Sequence, residues 1–156
     1  MSAVQTPPRL ESWVSFLRAH AAITRQLNTD LLNSHGLTLS DYEVLLRLAN
    51  AENQMMRRVD LAQSVLLTAS GITRLLDGLE QSGCVEKVKC ESDARVSYAK
   101  LTPAGRRKLK EAAGTHLAGI EELFTGRYSD EELEQLTELL SRLPLTHELP
   151  GRCTVE

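Results

Sequence analysis

Hydrophobic residues in this chain recur at helical spacing in several separate stretches. In the range 70–81, apolar residues fall at i, i+3, i+4 and i+7, the spacing of a helix packed on a core; they are Ile72, Leu75, Leu76 and Leu79. The other face is polar and carries Ser70, Thr73, Arg74 and Asp77. Gly83 follows, and a glycine just past a helix often takes the positive φ that ends it. The pattern predicts a helix with one buried face and one polar face.

Short elements surround this helix. Residues 58–64 have the pattern of a short helix, and 66–69 form a tight turn between the two helices. Two β-type runs follow, over 84–90 and 95–101, joined by the polar turn 91–94. Two short helices joined by a tight turn and followed by a hairpin are typical of a winged helix-turn-helix.

Longer periodic stretches lie towards both ends. Residues 9–34 predict a long amphipathic helix, and Ser40 with Glu43 forms a capping-box pattern that predicts another helix start, with Leu39 and Val44 as its hydrophobic staple. That second helix runs to about residue 50, and 51–56 is expected to be a connection.

The C-terminal part repeats this arrangement. Thr102 and Pro103 supply a cap and a proline at the first helical position, which predicts a helix to about Gly126. Ser129 and Glu132 form a second capping-box pattern, and the last helix is expected to run on to Pro144.

The predicted fold is therefore mainly α (α+β), in the order α-α-α-α-β-β-α-α. We expect one domain over 1–156, since the length suits a single domain with extra helices for assembly. Helices with more apolar residues than a small core can absorb usually pair across a two-fold axis, which predicts a homodimer. The expected parts are a loose lead-in 1–8, dimerisation helices 9–34 and 103–143, a DNA-binding lobe 40–101 and a tail 144–156.

Composition limits the cellular setting. The chain has 42% hydrophobic and 25% charged residues, as ordinary globular proteins do. No apolar run approaches the ~18 to 20 residues that cross a bilayer, and the first residues lack a signal-peptide pattern. Three cysteines, Cys84, Cys90 and Cys153, have no metal-type spacing and fit a reducing compartment. We expect a cytoplasmic protein with no membrane partner.

Charge is unevenly distributed along the chain. Residues 53–110 contain 11 Lys or Arg and 6 Asp or Glu, a balance of +5, whereas the remainder carries −8, which together give the net charge of −3. A basic centre with acidic ends is the pattern of a surface that binds a polyanion, although solvated surface charge is the plain alternative.

In combination, these motifs resemble the MarR family of transcriptional regulators over roughly residues 13–143. Their order and spacing together are specific, although each motif alone is weak. Cys84 departs from the pattern, since the family more often has an aliphatic residue there. The resemblance is carried by Asp60-Leu61-Ala62, the run from Ser70 to Glu80, Gly83-Cys84-Val85-Glu86-Lys87, Asp93-Ala94-Arg95 and Leu101-Thr102-Pro103-Ala104-Gly105.

The winged fold and the resemblance imply specific roles on double-stranded DNA. Arg74 is expected to bind a guanine edge, with Ser70 or Thr73 reaching a base or phosphate, while Ser70 as a helix cap is the alternative. The resemblance places Arg95 in the minor groove with Asp93 as its brace; a salt bridge within the hairpin is the alternative. Asp77 is expected to orient Arg74 or pair with a basic neighbour. Further contacts are expected from Lys87, Lys89, Arg57, Arg58, Arg106 and Arg107.

The resemblance also implies a regulatory response. The expected function is a repressor of a palindromic operator, released by a small aromatic or phenolic acid. Trp13 and Phe16 have the alternative role of dimer core. The candidate ligand residues are Trp13, Phe16, Arg18, His20, Arg25 and Asp60.

Other functions have weaker signals. Cys90, beside Lys89, and Cys84 are the candidates for a thiol-based redox response. The four histidines lack ligand spacing, so no metal site is predicted. No nucleophile with a base and no phosphate loop can be placed, so we expect neither an enzyme nor a cofactor. A helical protein-interaction module that does not bind DNA is the remaining alternative.

Overall fold

The computed structural model describes residues 7–65 and 69–144. Residues 1–6 of the expected lead-in, residues 66–68 of the expected turn and the tail from 145, which contains His147 and Cys153, lie outside these ranges. The elements in chain order are α1 (Pro8–His35), α2 (Leu39–Asn50), β1 (Met55–Arg57), α3 (Arg58–Ser64), α4 (Ala69–Gln81), β2 (Val85–Lys89), β3 (Ser97–Leu101), α5 (Pro103–Leu123) and α6 (Asp130–Leu140).

These elements confirm the mainly helical winged fold and add a strand that was expected to be a connection. β1 pairs antiparallel with β3, matching Met56 to Ala99 and Arg57 to Tyr98, and the sheet order is β1-β3-β2. A strand of three residues is too short to show the alternation by which strands are recognised. Only its pairing with β3, which the pattern of β1 does not reveal, makes it a strand.

The start of α2 corrects a second prediction. The capping box is formed by Thr38 and Asp41, not by Ser40 and Glu43. Thr38 Oγ1 accepts from the Asp41 amide at 3.0 Å, and the Asp41 carboxylate accepts from the Thr38 amide at 2.8 Å. Thr38 has the extended backbone that a cap requires, so the helix begins at Leu39, two residues earlier than a Ser40 cap implies. Leu39 is the first helical residue, so it is not the residue before the cap that the expected hydrophobic staple with Val44 requires.

The later helix starts agree with their patterns. Thr102 Oγ1 accepts from the Gly105 amide at 3.0 Å, and Ser129 with Glu132 forms the predicted capping box. Both helices end earlier than expected, α5 at Leu123 and α6 at Leu140.

The chain divides within α5 into two compact units, the first ending at Gly119 and the second beginning at Ile120. The first unit contains the winged helix-turn-helix, and its core is formed by α2, α3, α4, the sheet and parts of α1 and α5. The largest fully buried side chains of this core are Leu31, Val44, Leu45, Leu48, Leu61 and Leu76.

Gly83 and Gly105 join the end of α4 to the start of α5. Gly83 takes a φ of 76°, which ends α4 as predicted. Thr102 Oγ1 donates to the Gly83 carbonyl at 2.6 Å, and the Thr102 amide donates to the Cys84 carbonyl at 3.1 Å. A Cβ on Gly105 would overlap that same Cys84 carbonyl oxygen. The end of α4 is therefore tied directly to the first turn of α5.

Candidate nucleic-acid interface

The exposed face of α4 carries the predicted reading residues. Ile72, Leu76 and Leu79 are buried, which fixes the rotation of the helix on the core. The exposed side chains on the other face include Ser70, Thr73, Arg74 and Asp77. Within the described residues, Arg74 has no hydrogen bond or ion pair, and Asp77 does not pair with it. The guanidinium of Arg74 is therefore open to a ligand outside the protein.

The wing, defined here as β2, β3 and the loop 90–96, ends in an arginine held by a carboxylate. Arg95 Nε and Nη2 donate to Asp93 Oδ1 at 3.1 Å and Oδ2 at 3.3 Å, and the Arg95 amide donates to Oδ1 at 3.0 Å. The hydrogen bond from the Arg95 side chain, followed by that from its amide, lowers the pKa of the Asp93 carboxyl. The Arg95 side chain is nevertheless 91% exposed, so the guanidinium projects into solvent while its base is fixed.

Two lysines extend the positive charge along β2. Lys87 and Lys89 lie opposite Ala99 and Ser97 of β3 and share one face of the sheet, and both are exposed. On the opposite face Lys100 forms an ion pair with Glu86, at 3.5 Å. The positive charge of Lys87 and Lys89 has no such counterion among the described residues.

Arg57 and Arg58 differ more than their adjacency suggests. Arg57 is half exposed and donates from Nε and Nη2 to Asp60 at 2.7 and 2.9 Å. This hydrogen-bonded pair and the charge of Asp60 raise the pKa of Arg57. Arg58 is half-buried, and its Nη2 is buried without a hydrogen-bond partner. Arg106 and Arg107 are exposed in the first turn of α5.

The candidate ligand residues lie on two elements. On α1, Trp13 stacks on Phe16 with ring centroids 6.2 Å apart, and Phe16 stacks on His20 at 6.4 Å. All three are exposed, as are Arg18 and Arg25. The sixth candidate, Asp60, lies on α3, and its carboxylate accepts the hydrogen bonds of Arg57.

The first unit contains a cleft of about 490 Å³ at a different place, where the turn between α1 and α2 meets the end of α4 and the start of α5. Polar and charged residues on its wall include His35, Asp41, Ser82 and Lys108. None of the six candidate ligand residues lines it, whereas Cys84 does.

The two described cysteines differ in environment. Cys84 is 5% exposed and belongs to the core cluster, which suits an apolar side chain. Cys90 is half-buried at the start of the wing loop, with its Sγ 3.1 Å from Ser92 Oγ. That hydrogen bond and those from the Asp93 and Ser92 backbone lower the pKa of the Cys90 thiol. The neighbouring Lys89 does not contribute to this lowering.

Arg57 and Asp60 form one pair, although the sequence had predicted that they belong to two different sites. Arg57 was expected to contact DNA and Asp60 a ligand, yet their side chains bond to each other. An acidic and a basic residue spaced i, i+3 at a helix start is the signal that would have revealed the pair.

Within residues 7–65 and 69–144, no helix has both the length and the apolar content needed to cross a membrane. Over the same residues, no group of three or more His, Cys, Asp and Glu side chains is placed to hold a metal ion.

Comparison with known proteins gives a consistent result. The model of the MarR family matches residues 37–97. The HTH-type transcriptional regulator MhqR of Bacillus subtilis is 29% identical over 140 residues, which cover 90% of this chain and 94% of that protein.

Two solved structures are also similar. AbsC, a MarR family transcriptional regulator from Streptomyces coelicolor, is 30% identical, with a TM-score of 0.80 and coverage of 89% of this chain and 93% of that one. Sco3205, a MarR family regulator of the same organism solved in complex with DNA, is 25% identical, with a TM-score of 0.82 and coverage of 90% and 88%. The likeness spans the winged helix-turn-helix and most of the flanking helices.

Proposed function

This chain belongs to the MarR family of DNA-binding transcriptional regulators, and we propose that it is a homodimeric repressor of a palindromic operator, released by a small aromatic or phenolic acid. In this proposal α4 lies in the major groove, where Arg74 reads a guanine edge and Ser70 and Thr73 contact bases or phosphates. Arg95 enters the adjacent minor groove, with Lys87 and Lys89 beside the backbone.

The observation that carries the proposal is that two exposed arginines, Arg74 and Arg95, each stand on an element that is held in place. Arg74 stands on a helix whose opposite face is buried. Arg95 stands on a loop held by Asp93, and its side chain is 91% exposed. Rigid placement of a few side chains is what recognition of base edges requires, since each contact then costs little ordering entropy.

Exposed apolar side chains support the dimer. In the first half of α1, Leu10, Trp13, Phe16 and Leu17 are 43 to 56% exposed. In the second unit, Leu139 and Leu140 of α6 are 54% and 39% exposed. Groups of exposed apolar side chains such as these are commonly covered by another protein chain. A two-fold dimer would place two α4 helices on half-sites about one helical turn, roughly 10 bp, apart.

The release of DNA by a ligand draws on the aromatic row of α1. Trp13, Phe16 and His20 present stacked rings, and Arg18 and Arg25 on the same helix supply cations for a carboxylate or phenolate. Trp13 is the only tryptophan of the chain, so its fluorescence reports binding directly. A panel of aromatic carboxylates and phenols should quench it and release labelled operator DNA at the same concentrations. Release without any change in Trp13 fluorescence would place the ligand elsewhere.

The DNA contacts are tested with operator fragments selected from genomic DNA by the wild-type protein. Arg74→Ala should weaken binding of a selected fragment by roughly 5- to 150-fold, the loss of one bidentate base contact. Arg95→Ala should also weaken it, and Arg142→Ala, which removes an exposed arginine just after α6, is the matched control. If all three variants bind as the wild type does in an anisotropy titration, the assignment of Arg74 and Arg95 is wrong.

A second candidate response is oxidation of Cys90. Its thiol has a lowered pKa and lies in the wing, three residues before Asp93. Oxidation there would disturb the loop that holds Arg95. A Cys90→Ser variant that keeps the full peroxide sensitivity of DNA binding would exclude this response.

A further inference from the structure

α3 begins with an unusual residue at its cap position. Thr38, Thr102 and Ser129 each accept a hydrogen bond from an amide in the first turn of α2, α5 and α6. Arg57 occupies the corresponding place before α3 and makes no side-chain cap. A guanidinium has no acceptor atom, so it cannot bond the free amides of the helix start. A residue that breaks a local rule in this way is often retained for function.

The guanidinium of Arg57 is fixed along one edge only. Its Nε and one Nη2 hydrogen donate to Asp60 Oδ2 and Oδ1, at 2.7 and 2.9 Å. An arginine has five N–H donors, so three remain, on Nη1 and on the outer side of Nη2. Those donors form the end of the fork, which is the edge that binds a phosphate in bidentate fashion. The side chain of Arg57 is 52% exposed, so this end is open to an external ligand.

Arg57 also stands beside the proposed DNA-binding elements. It is the last residue of β1, the edge strand that pairs with β3 of the wing, and it lies opposite Tyr98. The helix that follows it, α3, packs against α4. Arg57 therefore lies on the sheet that carries the wing and directly before the helix that packs on α4.

We propose that Asp60 is a positioning residue, which holds Arg57 so that the free end of its guanidinium binds a phosphate of the DNA backbone. The inference rests on the proposed DNA-binding function and assigns Asp60 to that surface rather than to a ligand pocket. A long arginine side chain loses rotamer freedom when it binds, and a carboxylate that orients it beforehand reduces that cost. Phosphate contacts of this kind fix the register of a protein on the duplex.

Repulsion between the Asp60 carboxylate and DNA phosphates would act against positioning, and the two effects can be told apart by experiment. A carboxylate close to DNA repels phosphates, so its removal would strengthen binding if Asp60 only neutralised Arg57. It could also act on α3 alone, as an acidic residue in the first turn of a helix. Only a positioning role predicts both that removal of Asp60 weakens binding and that this loss depends on the presence of Arg57.

A double-mutant cycle on the full chain measures that dependence. Arg57→Gln, Asp60→Asn and the double variant are titrated against a selected operator fragment over a range of KCl concentrations. Asp60→Asn should weaken binding by roughly 3- to 10-fold, a typical coupling between contacting residues. Arg57→Gln should weaken it further and flatten the slope of log K against log salt by about 0.9, one phosphate contact. In the Arg57→Gln background, Asp60→Asn should cause no further loss.

Glu138→Gln provides the matched control, because Glu138 of α6 and Arg142, just beyond the end of that helix, form a similar exposed pair at 3.0 Å. It should leave DNA affinity unchanged. Tighter binding by Asp60→Asn, a loss that persists in the Arg57→Gln background, or a salt slope that Arg57→Gln leaves unchanged would each overturn the proposal. Thermal unfolding of each variant identifies any loss that comes from misfolding, and Arg57→Lys should then recover part of the salt slope. Absence of DNA binding by the wild type would instead refute the proposed function.

Discussion

α4 and the wing differ from α1 and α6 in the side chains that they expose. Among the described side chains of α4, β2 and β3, no large apolar one is exposed, and Arg74 and Arg95 stand out into solvent. On α1 and α6, by contrast, Trp13, Phe16 and Leu139 are 56%, 43% and 54% exposed. The first surface suits a polyanion surrounded by water, whereas the second suits another apolar surface.

The difference shows how one chain can separate two tasks. α4 and the wing strands bury their own apolar side chains, so their outer faces are available for charge and hydrogen bonding. The terminal helices leave apolar area uncovered in the single chain. In our account the second chain covers that area and thereby sets the distance between two recognition helices.

The largest expected effect is on the free energy of unfolding, when the same Leu→Ala substitution is made in each region. Leu76→Ala empties a fully buried site in α4 and should lower the free energy of unfolding by about 2–5 kcal/mol. Leu139→Ala, on α6, should change it by less than about 0.5 kcal/mol in dilute, monomeric protein, since more than half of that side chain is exposed. Urea denaturation measures both. Equal losses would contradict the distinction between a self-sufficient lobe and an incomplete terminal surface.

The next effect concerns association. Trp13→Ser should raise the dissociation constant of the dimer by about tenfold or more, as loss of a large aromatic side chain from an interface usually does. Sedimentation equilibrium measures the constant. Gln63→Ser, an exposed change on α3, should leave it unaltered. A dimer as stable as the wild type after Trp13→Ser would remove α1 from the interface.

A smaller effect tests the contact between α5 and α2 within the first unit. The ring centroids of His116 and Tyr42 are 4.4 Å apart, and the Nδ1 of His116 is buried without a hydrogen-bond partner. Burial lowers the pKa of His116, although the charge of Glu43 opposes this. The neutral ring therefore contributes stability that is complete above pH 6.5 and is lost as the pH falls through the lowered folded-state pKa.

The measurement is urea denaturation of the wild type and His116→Phe between pH 5 and 8. The variant should lie within about 1 kcal/mol of the wild type at pH 7, because it removes a polar atom that has no partner. It should lose less stability than the wild type on acidification. Identical pH profiles would show that another group causes the acid loss.

The smallest effect concerns the charge pair in the wing. Arg95 lowers the pKa of Asp93, so the pair orders the loop fully above the ordinary value of 3.8 and less as the pH falls through the lowered one. An NMR titration of the Asp93 carboxyl should give a midpoint below 3.8, and Arg95→Ala should return it towards 3.8. A midpoint that does not respond to Arg95→Ala would mean that the pair does not persist in solution.

Elements with their own periodicity could be predicted from the sequence, whereas those defined by a partner could not. The stripe of Ile72, Leu76 and Leu79 identified α4 and its polar face because both follow from a single helix. β1 was missed because its pairing with β3 is its only signal. The capping box was shifted from Thr38 to Ser40 because both residues have an acidic residue three positions later, and only the backbone distinguishes them.

The candidate site divides in the same way. The bracing of Arg95 by Asp93 was anticipated from the resemblance to the MarR family, whose wing motif these residues match. The hydrogen-bonded pair of Arg57 and Asp60 was not anticipated, although its i, i+3 spacing is visible in the sequence, because Asp60 was interpreted as a ligand contact.

The most direct test of the account is sedimentation velocity of the protein mixed with a fluorescent operator fragment, which reports the mass of each species. Two chains should move with each fragment in the wild type. Arg74→Ala should give a dimer that sediments apart from most of the DNA, and Trp13→Ser should give monomers that bind it weakly. If instead a single chain formed the stable complex, or Arg74→Ala held the DNA as well as the wild type, the separation of the two surfaces would be wrong.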